Sequence, residues 1–270
     1  MVNFATLLTE DHVPGALALG QSLSENSGFG TDIHFHVLIP EGLSAESRSK
    51  ISNLPVTVTF YDEDWNIEYK CSNDLIPDHK RINQYKFNTF RLPVDKVTFL
   101  DSDMLCLGNV EPVRDMSEFS VVMGLGKNGY STINNRPKFN SGMFICEPSR
   151  ERFEELQAFG ANWDKQISRG DQPIMNEFYL EHYPERVNYL SPSWNVIQPW
   201  RFKSRRFWKS ACEDGIKFLH YTHVKPWENY WPQKKDELYY IWDKLHKKYI
   251  LYRKLQLLWK PYYRRSMEHS

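Results

Sequence analysis

Two aspartates, Asp101 and Asp103, stand at the end of the apolar run Val97-Thr98-Phe99-Leu100. A short run of β-branched and aromatic residues reads as a buried strand. In extended backbone, residues i and i+2 project to the same side, so the two carboxylates can converge on one point. Converging carboxylates suit a hard divalent cation, and such a cation commonly holds phosphate oxygens as well. The chemistry implied is capture of a phosphate-bearing substrate through a metal. Spacing alone does not define the site. Asp62-Glu63-Asp64 repeats it after the strand-like Pro55–Tyr61, and there it reads as an exposed loop.

The elements that must position the pair follow from hydrophobic period. Val2–Leu8 reads as a strand, Thr9-Glu10-Asp11-His12 as a polar loop, and Pro14 as the first turn of a helix carrying Ala16–Leu23. Ile33–Ile39 and Val56–Tyr61 are further strands, with a helical Ser44–Leu54 between them. This alternation predicts an α/β fold with a largely parallel sheet. Residues 65–84 are polar and aperiodic, a loop or lid, and Tyr85–Leu92 is a short helix leading to the carboxylate strand. Downstream, Phe119–Met123 and Phe139–Ile145 read as strands, and Arg150–Trp163 and Gln172–Glu181 as helices. Ile216–Tyr221 is a last strand and Lys234–Trp259 is largely helical. Ligands of open α/β sheets sit beyond the carboxyl ends of the strands, where Thr9, Asp101 and His220 all fall.

Composition narrows the class. A chain of 270 residues without a low-complexity linker predicts one domain, residues 1–233, with a C-terminal extension, residues 234–270. A hydrophobic content of 41% is enough for a large core. A net charge of +0 gives no argument for nucleic acid, and none is expected as a partner. The four cysteines show no Cys-x-x-Cys spacing, which argues against a zinc cluster and suits a reducing compartment. With no leader pattern and no membrane-length apolar run, the expectation is a cytoplasmic protein, or one made there and held at a membrane surface. Two decoys are set aside. Gly124-Leu125-Gly126-Lys127-Asn128-Gly129 has the letters of a dinucleotide loop, but Tyr130–Pro137 lacks a helical period. His34 and His36 alternate on a strand without a third ligand nearby and read as structural.

Several segments together resemble glycosyltransferase family 8, which includes glycogenin and bacterial lipooligosaccharide galactosyltransferases. Phe4-Ala5-Thr6-Leu7-Leu8-Thr9 with Gly15–Leu23 is similar to its opening, and Lys86–Leu92 to its lysine-bearing helix. Phe99-Leu100-Asp101-Ser102-Asp103 resembles its metal motif. Phe139-Asn140-Ser141-Gly142-Met143-Phe144 and Gly170-Asp171-Gln172 resemble its sugar-binding segments, and His220–Trp227 its closing signature. The blocks occur in the family's order across residues 2–227.

The resemblance implies a fold and a set of roles. The fold would be a single Rossmann-like nucleotide-sugar domain of the GT-A type. Asp101, Asp103 and His220 would bind a divalent metal, and one imidazole among oxygen ligands favours manganese over magnesium. Leu7, Leu8, Thr9 and Glu10 would line the uracil and ribose pocket, with Ser102 inside the metal motif. Lys86 and Lys225 would supply positive charge near the diphosphate. Asn140, Ser141, Gly142, Asp171 and Gln172 would face the sugar, although Asp171 also suits a helix N-cap. The activity implied is retaining transfer of glucose or galactose from a UDP-sugar to a separate glycan, glycolipid or glycoprotein. Competing readings are nucleotidyl or phosphoryl transfer, which also uses paired aspartates, and a binding module without activity.

The chain departs from the family pattern in three places. Lys225 comes one residue early in the closing signature, and His223 stands where a glycine would, which makes it a rival to His220. Glu10 and Val13 replace an asparagine and an aromatic residue near the base. No tyrosine occurs between Leu190 and Leu219, where glycogenin carries its own acceptor, so a separate acceptor is expected. The segment Lys244–Arg265 is basic, carries no acidic residue and interleaves aromatics with Leu251, Leu255 and Leu258. That pattern suits an anionic membrane surface or, equally, a helix packed on the domain.

Overall fold

The computed structural model describes residues 1–62, 82–124, 131–163, 170–197, 205–222, 225–228 and 248–268. The expectations for Glu63 and Asp64, for residues 65–81, for the glycine-rich segment from Leu125 on, for His223 and for residues 234–247 lie outside them.

The chain opens with β1 (Val2–Leu7), α1 (Val13–Asn26), β2 (Ile33–Leu38), α2 (Ala45–Ser52) and β3 (Thr57–Tyr61). A 3₁₀ segment, Asn83–Arg91, stands where a short helix was expected, followed by β4 (Val97–Leu100), β5 (Met104–Cys106) and β6 (Ser120–Met123). Next come β7 (Thr132–Ile133), β8 (Arg136–Pro137), β9 (Phe139–Cys146), α3 (Arg150–Ala161) and α4 (Asp171–His182). The chain closes with β10 (Asn188–Tyr189), β11 (Val196–Ile197), α5 (Arg205–Glu213), β12 (Phe218–His220) and α6 (Lys248–Glu268).

Seven strands form the central sheet in the order β10-β6-β9-β4-β1-β2-β3. Its pairings are parallel except those of β9, which runs antiparallel to both β4 and β6. Phe4, Ala5, Phe99 and Leu100 are fully buried, as both faces of a helix-covered sheet require. On one face Phe99 stacks on Phe144 at 4.9 Å, next to Phe90, Phe119 and Tyr179. The other face is covered by α1, whose Gly15 admits its neighbours closely. A Cβ there would stand 2.5 Å from both the Ser102 carbonyl oxygen and the Trp227 ring.

Two connections carry residues to the carboxyl edge of the parallel strands. The antiparallel β9 pairs Leu100 with Met143, and Asp101 N–H donates to the Gly142 carbonyl at 2.8 Å. The start of β9, Asn140-Ser141-Gly142, is thereby laid beside the end of β4. A second sheet, β11-β12-β5, pairs His220 with Met104, and Tyr221 N–H donates to the Asp103 carbonyl at 3.0 Å. That pairing brings the late strand against the carboxylate turn.

The C-terminal helix continues past Trp259, through Pro261, to Glu268. Its last turns pack on α1. Asn26 donates to the Tyr262 hydroxyl at 2.9 Å, and Arg265 forks onto Glu25 at 2.6 and 2.7 Å. Trp259 is buried in the same core as α1 and stacks on Tyr263 at 4.7 Å. Leu257 and Leu258 face outward. Among the described residues, no helix is long and apolar enough to cross a membrane.

Candidate active site

Beyond the carboxyl ends of β1 and β4 lies a cavity of about 480 Å³. Of the residues singled out in the sequence, Leu7, Thr9, Lys86, Asp101, Ser102, Asp103, Asn140, Ser141, Gly142, Asp171, Gln172, His220 and Lys225 line it.

Asp101, Asp103 and His220 form its metal-like corner. One ligand atom from each lies within 4.8 Å of the others. His220 Nε2 stands 3.2 Å from Asp103 and 3.6 Å from Asp101. The Lys225 ammonium contacts the second oxygen of Asp103 and donates to the Tyr221 carbonyl at 3.2 Å. Burial raises the pKa of Asp103, but His220 and then Lys225 outweigh it and hold the carboxyl below the usual range. The early lysine of the closing signature therefore still reaches the carboxylate pair.

Lys86 joins this corner to Asp171 and the start of β9. Its ammonium donates to Asp101 at 2.8 Å, to Asp171 at 2.9 Å and to the Ser141 carbonyl at 3.4 Å. The same group lies 5.1 Å from the Phe99 ring centroid. Burial opposes its charge, yet Asp101 and Asp171 prevail and raise the pKa above the ordinary lysine value.

Asp171 is not an N-cap. Gly170 holds that position and Asp171 is the first residue of α4. Its carboxylate accepts the Ser141 hydroxyl at 2.5 Å as well as Lys86. Gln172 Oε1 accepts from Asn140 at 2.9 Å and from the Ser141 N–H at 3.3 Å. Asn176, one turn on, clamps α4 to β9 by exchanging bonds of 2.7 and 2.9 Å with the Phe139 backbone. This clamp aims Asp171 and Gln172 at Asn140 and Ser141.

The residues around the end of β1 divide between the cavity wall and the core. Leu8 is fully buried in the core and is not part of the cavity wall. Glu10 also lies off the wall, because its carboxylate binds the start of α2. It accepts the Ser44 N–H at 3.1 Å and the hydroxyls of Ser44 and Ser47 at 2.9 and 2.5 Å. Val13 is buried, and the ring on the wall at this place is that of His12. His12 is fixed by Thr9 at 3.0 Å and lies edge-on to Trp227 at 5.8 Å. Asp11, Glu41, Ile82, Asn83 and Thr222 complete the lining, Thr222 from within the closing signature. His34 and His36 stack at 4.0 Å and bond to Thr59, Tyr61 and Asn3, a structural cluster.

A helix-flanked, mostly parallel sheet with paired aspartates at its carboxyl edge is the architecture of GT-A glycosyltransferases. The galactosyltransferase LgtC, solved with donor and acceptor sugar analogs, superposes with a TM-score of 0.66 at 18% identity, over 85% of this chain and 90% of that one. The glycosyltransferase GlyE of Streptococcus pneumoniae does so with 0.65 at 14% identity, over 97% of this chain and 60% of its own. The chain belongs to glycosyl transferase family 8, whose family model matches residues 3–230. It is 27% identical over 234 residues to UDP-glucuronate:xylan alpha-glucuronosyltransferase 1 of Arabidopsis thaliana, covering 83% of this chain and 32% of the plant protein. It is 30% identical over 250 residues to human glycogenin-1, covering 86% of this chain and 64% of glycogenin. The chain thus spans about a third of the plant relative and under two thirds of glycogenin.

Proposed function

We propose that the protein transfers glucose or galactose from a UDP-sugar to a hydroxyl of a separate glycan, glycolipid or glycoprotein, retaining anomeric configuration and depending on a divalent metal. One observation carries the reading: Lys86 joins the Asp101/Asp103/His220 corner to Asp171 across a single cavity. That link supports a phosphate-binding end and a sugar-binding end within reach of one ligand.

The donor set fits a metal. Two carboxylate oxygens and one imidazole nitrogen suit a divalent ion, with manganese ahead of magnesium. Asp101, Asp103 and His220 would hold it, and when bound it supplies positive charge to a departing diphosphate. Lys225, already on Asp103, adds a second positive charge at the same end. Lys86 holds the Asp171 carboxylate at 2.9 Å, on the side where the sugar would sit.

The state of Asp171 supports front-face displacement. Its carboxylate is buried and engaged by both Lys86 and Ser141, which lowers its nucleophilicity. Gln172 is a weak nucleophile, and its carbonyl is held by Asn140 and Ser141. A neutral hexose fits better than a sugar acid. Both lysines described on the cavity wall are already paired with aspartates. UDP release from UDP-glucose, UDP-galactose and UDP-glucuronate, with and without manganese, tests the reading. Manganese-dependent release from a neutral hexose donor is expected, and release from none of them overturns it.

The outward face of α6, with Leu257 and Leu258, is where any peripheral contact with an anionic membrane would be made.

A further inference from the structure

We propose that Asn195 is a positioning residue that fixes the tautomer of His220, so that Nε2 is the nitrogen free to ligate a cation. The inference rests on the metal-site reading above. It concerns a residue just ahead of β11 that none of the sequence motifs included.

Asn195 is fully buried, and its side-chain oxygen faces His220 Nδ1 at 3.1 Å. Which amide end faces the ring is settled two residues away, because a peptide N–H only donates. Ser141 N–H donates to Gln172 at 3.3 Å, so the Gln172 atom there is its oxygen. Asn140 must then offer its NH₂ to that oxygen, which it does at 2.9 Å. Independently, Gly142 N–H donates to the other end of Asn140 at 3.1 Å, so that end is the oxygen. Asn195 consequently gives its NH₂ to Asn140 at 2.9 Å and turns its oxygen to His220. Reversing Asn195 would set two carbonyl oxygens against each other in a buried site, which is costly. His220 therefore carries a proton on Nδ1. Its Nε2 is the nitrogen left to face Asp103 and Asp101, at 3.2 and 3.6 Å, and a cation would displace the proton it shares with Asp103.

Backbone amides of β9 thus orient a metal ligand on β12 through three side-chain amides. Outer-shell partners of this kind commonly change metal affinity by about 10–100-fold. The relay also runs through Gln172, so the sugar-facing side and the metal corner share one hydrogen-bond chain.

The test compares wild type, Asn195→Leu, Asn195→Asp and His220→Ala, each confirmed folded by circular dichroism. Manganese affinity is titrated by electron paramagnetic resonance without donor, and ¹⁵N-histidine spectra report the tautomer in metal-free protein, His220→Ala assigning the signal. A proton on Nδ1 is expected in wild type. Asn195→Leu should weaken manganese binding about 10–100-fold and shift His220 toward Nε2–H. Asn195→Asp still accepts from Nδ1 but sets an oxygen against Asn140 Oδ1, so it should keep the proton on Nδ1 while losing part of the affinity. Loss of affinity in His220→Ala but not in Asn195→Leu would overturn the positioning role alone. Unchanged affinity in His220→Ala would overturn the metal site itself, and the inference with it.

Discussion

Lys86 and Asp171 meet at 2.9 Å with side chains only 4% and 7% exposed, and Lys86 holds Asp101 as well. Removing Lys86 leaves the buried Asp171 carboxylate without its charge partner. Lys86→Ala is expected to cost about 3–5 kcal/mol of stability and to lower turnover by about 10²–10³. Adding Asp171→Asn should return part of the stability and none of the activity. Thermal melts and UDP release read the two effects separately. A stable, active Lys86→Ala would refute the bridging role.

Gly142 touches both halves of the metal corner. A Cβ at this position would lie 2.3 Å from His220 Cε1 and 2.7 Å from an Asp101 oxygen. The ring is held by β12 and Asn195, so it cannot step aside cheaply. Gly142→Ala should cost about 1–3 kcal/mol and weaken manganese binding more than nucleotide binding. Calorimetric titration with manganese and then with UDP measures both, and equal loss of the two would count against the packing account.

What could be read in advance follows from what leaves a local signature. The carboxylate pair was legible because two acids close an apolar run, although Ser102 and Asp103 lie in a turn, so the turn and not an extended period of 2 brings them together. The parallel opening was legible from alternating strand and helix patterns. The direction of β9 was not, since an apolar run reads the same both ways, yet its reversal is what brings Asn140 beside Asp101. The β5-β12-β11 sheet escaped notice because two of its strands have three residues and the other two. Asn195 lay in a stretch without period, and Glu10 gave no hint that Ser44 and Ser47 would take its carboxylate. The tail was ambiguous for a physical reason: an aromatic, basic stripe looks the same whether it meets lipid or α1.

His36 gives the fold a defined acid response. Burial, with His34 beside it, pushes its pKa from 6.5 down to about 4. Between those values the unfolded chain takes up a proton that the folded one refuses, so stability falls as pH drops through that window. The contribution is on the order of 1–3 kcal/mol. Denaturant titrations at pH 7 and 4.5 should show a larger acid loss in wild type than in His36→Gln. Equal losses would show that other groups govern the response.

Membrane contact, if made by α6, must use the face that α1 leaves free. Trp259 is buried and Arg265 is held by Glu25, so neither can enter a lipid surface while the helix stays docked. Leu257 and Leu258 are 55% and 45% exposed, with Lys260 and Arg264 also outward. Two exposed leucines with Lys260 and Arg264 would give weak, salt-sensitive attachment to anionic headgroups, each basic residue adding about 1 kcal/mol near the surface. Deleting the tail would be a poor test, because it removes part of the core. The informative change is Leu257→Glu with Leu258→Glu, which leaves the α1 contacts in place. Flotation with phosphatidylserine vesicles at low salt should lose the double variant and retain wild type. If the two float alike, the outward face is solvent surface and the helix serves the fold alone.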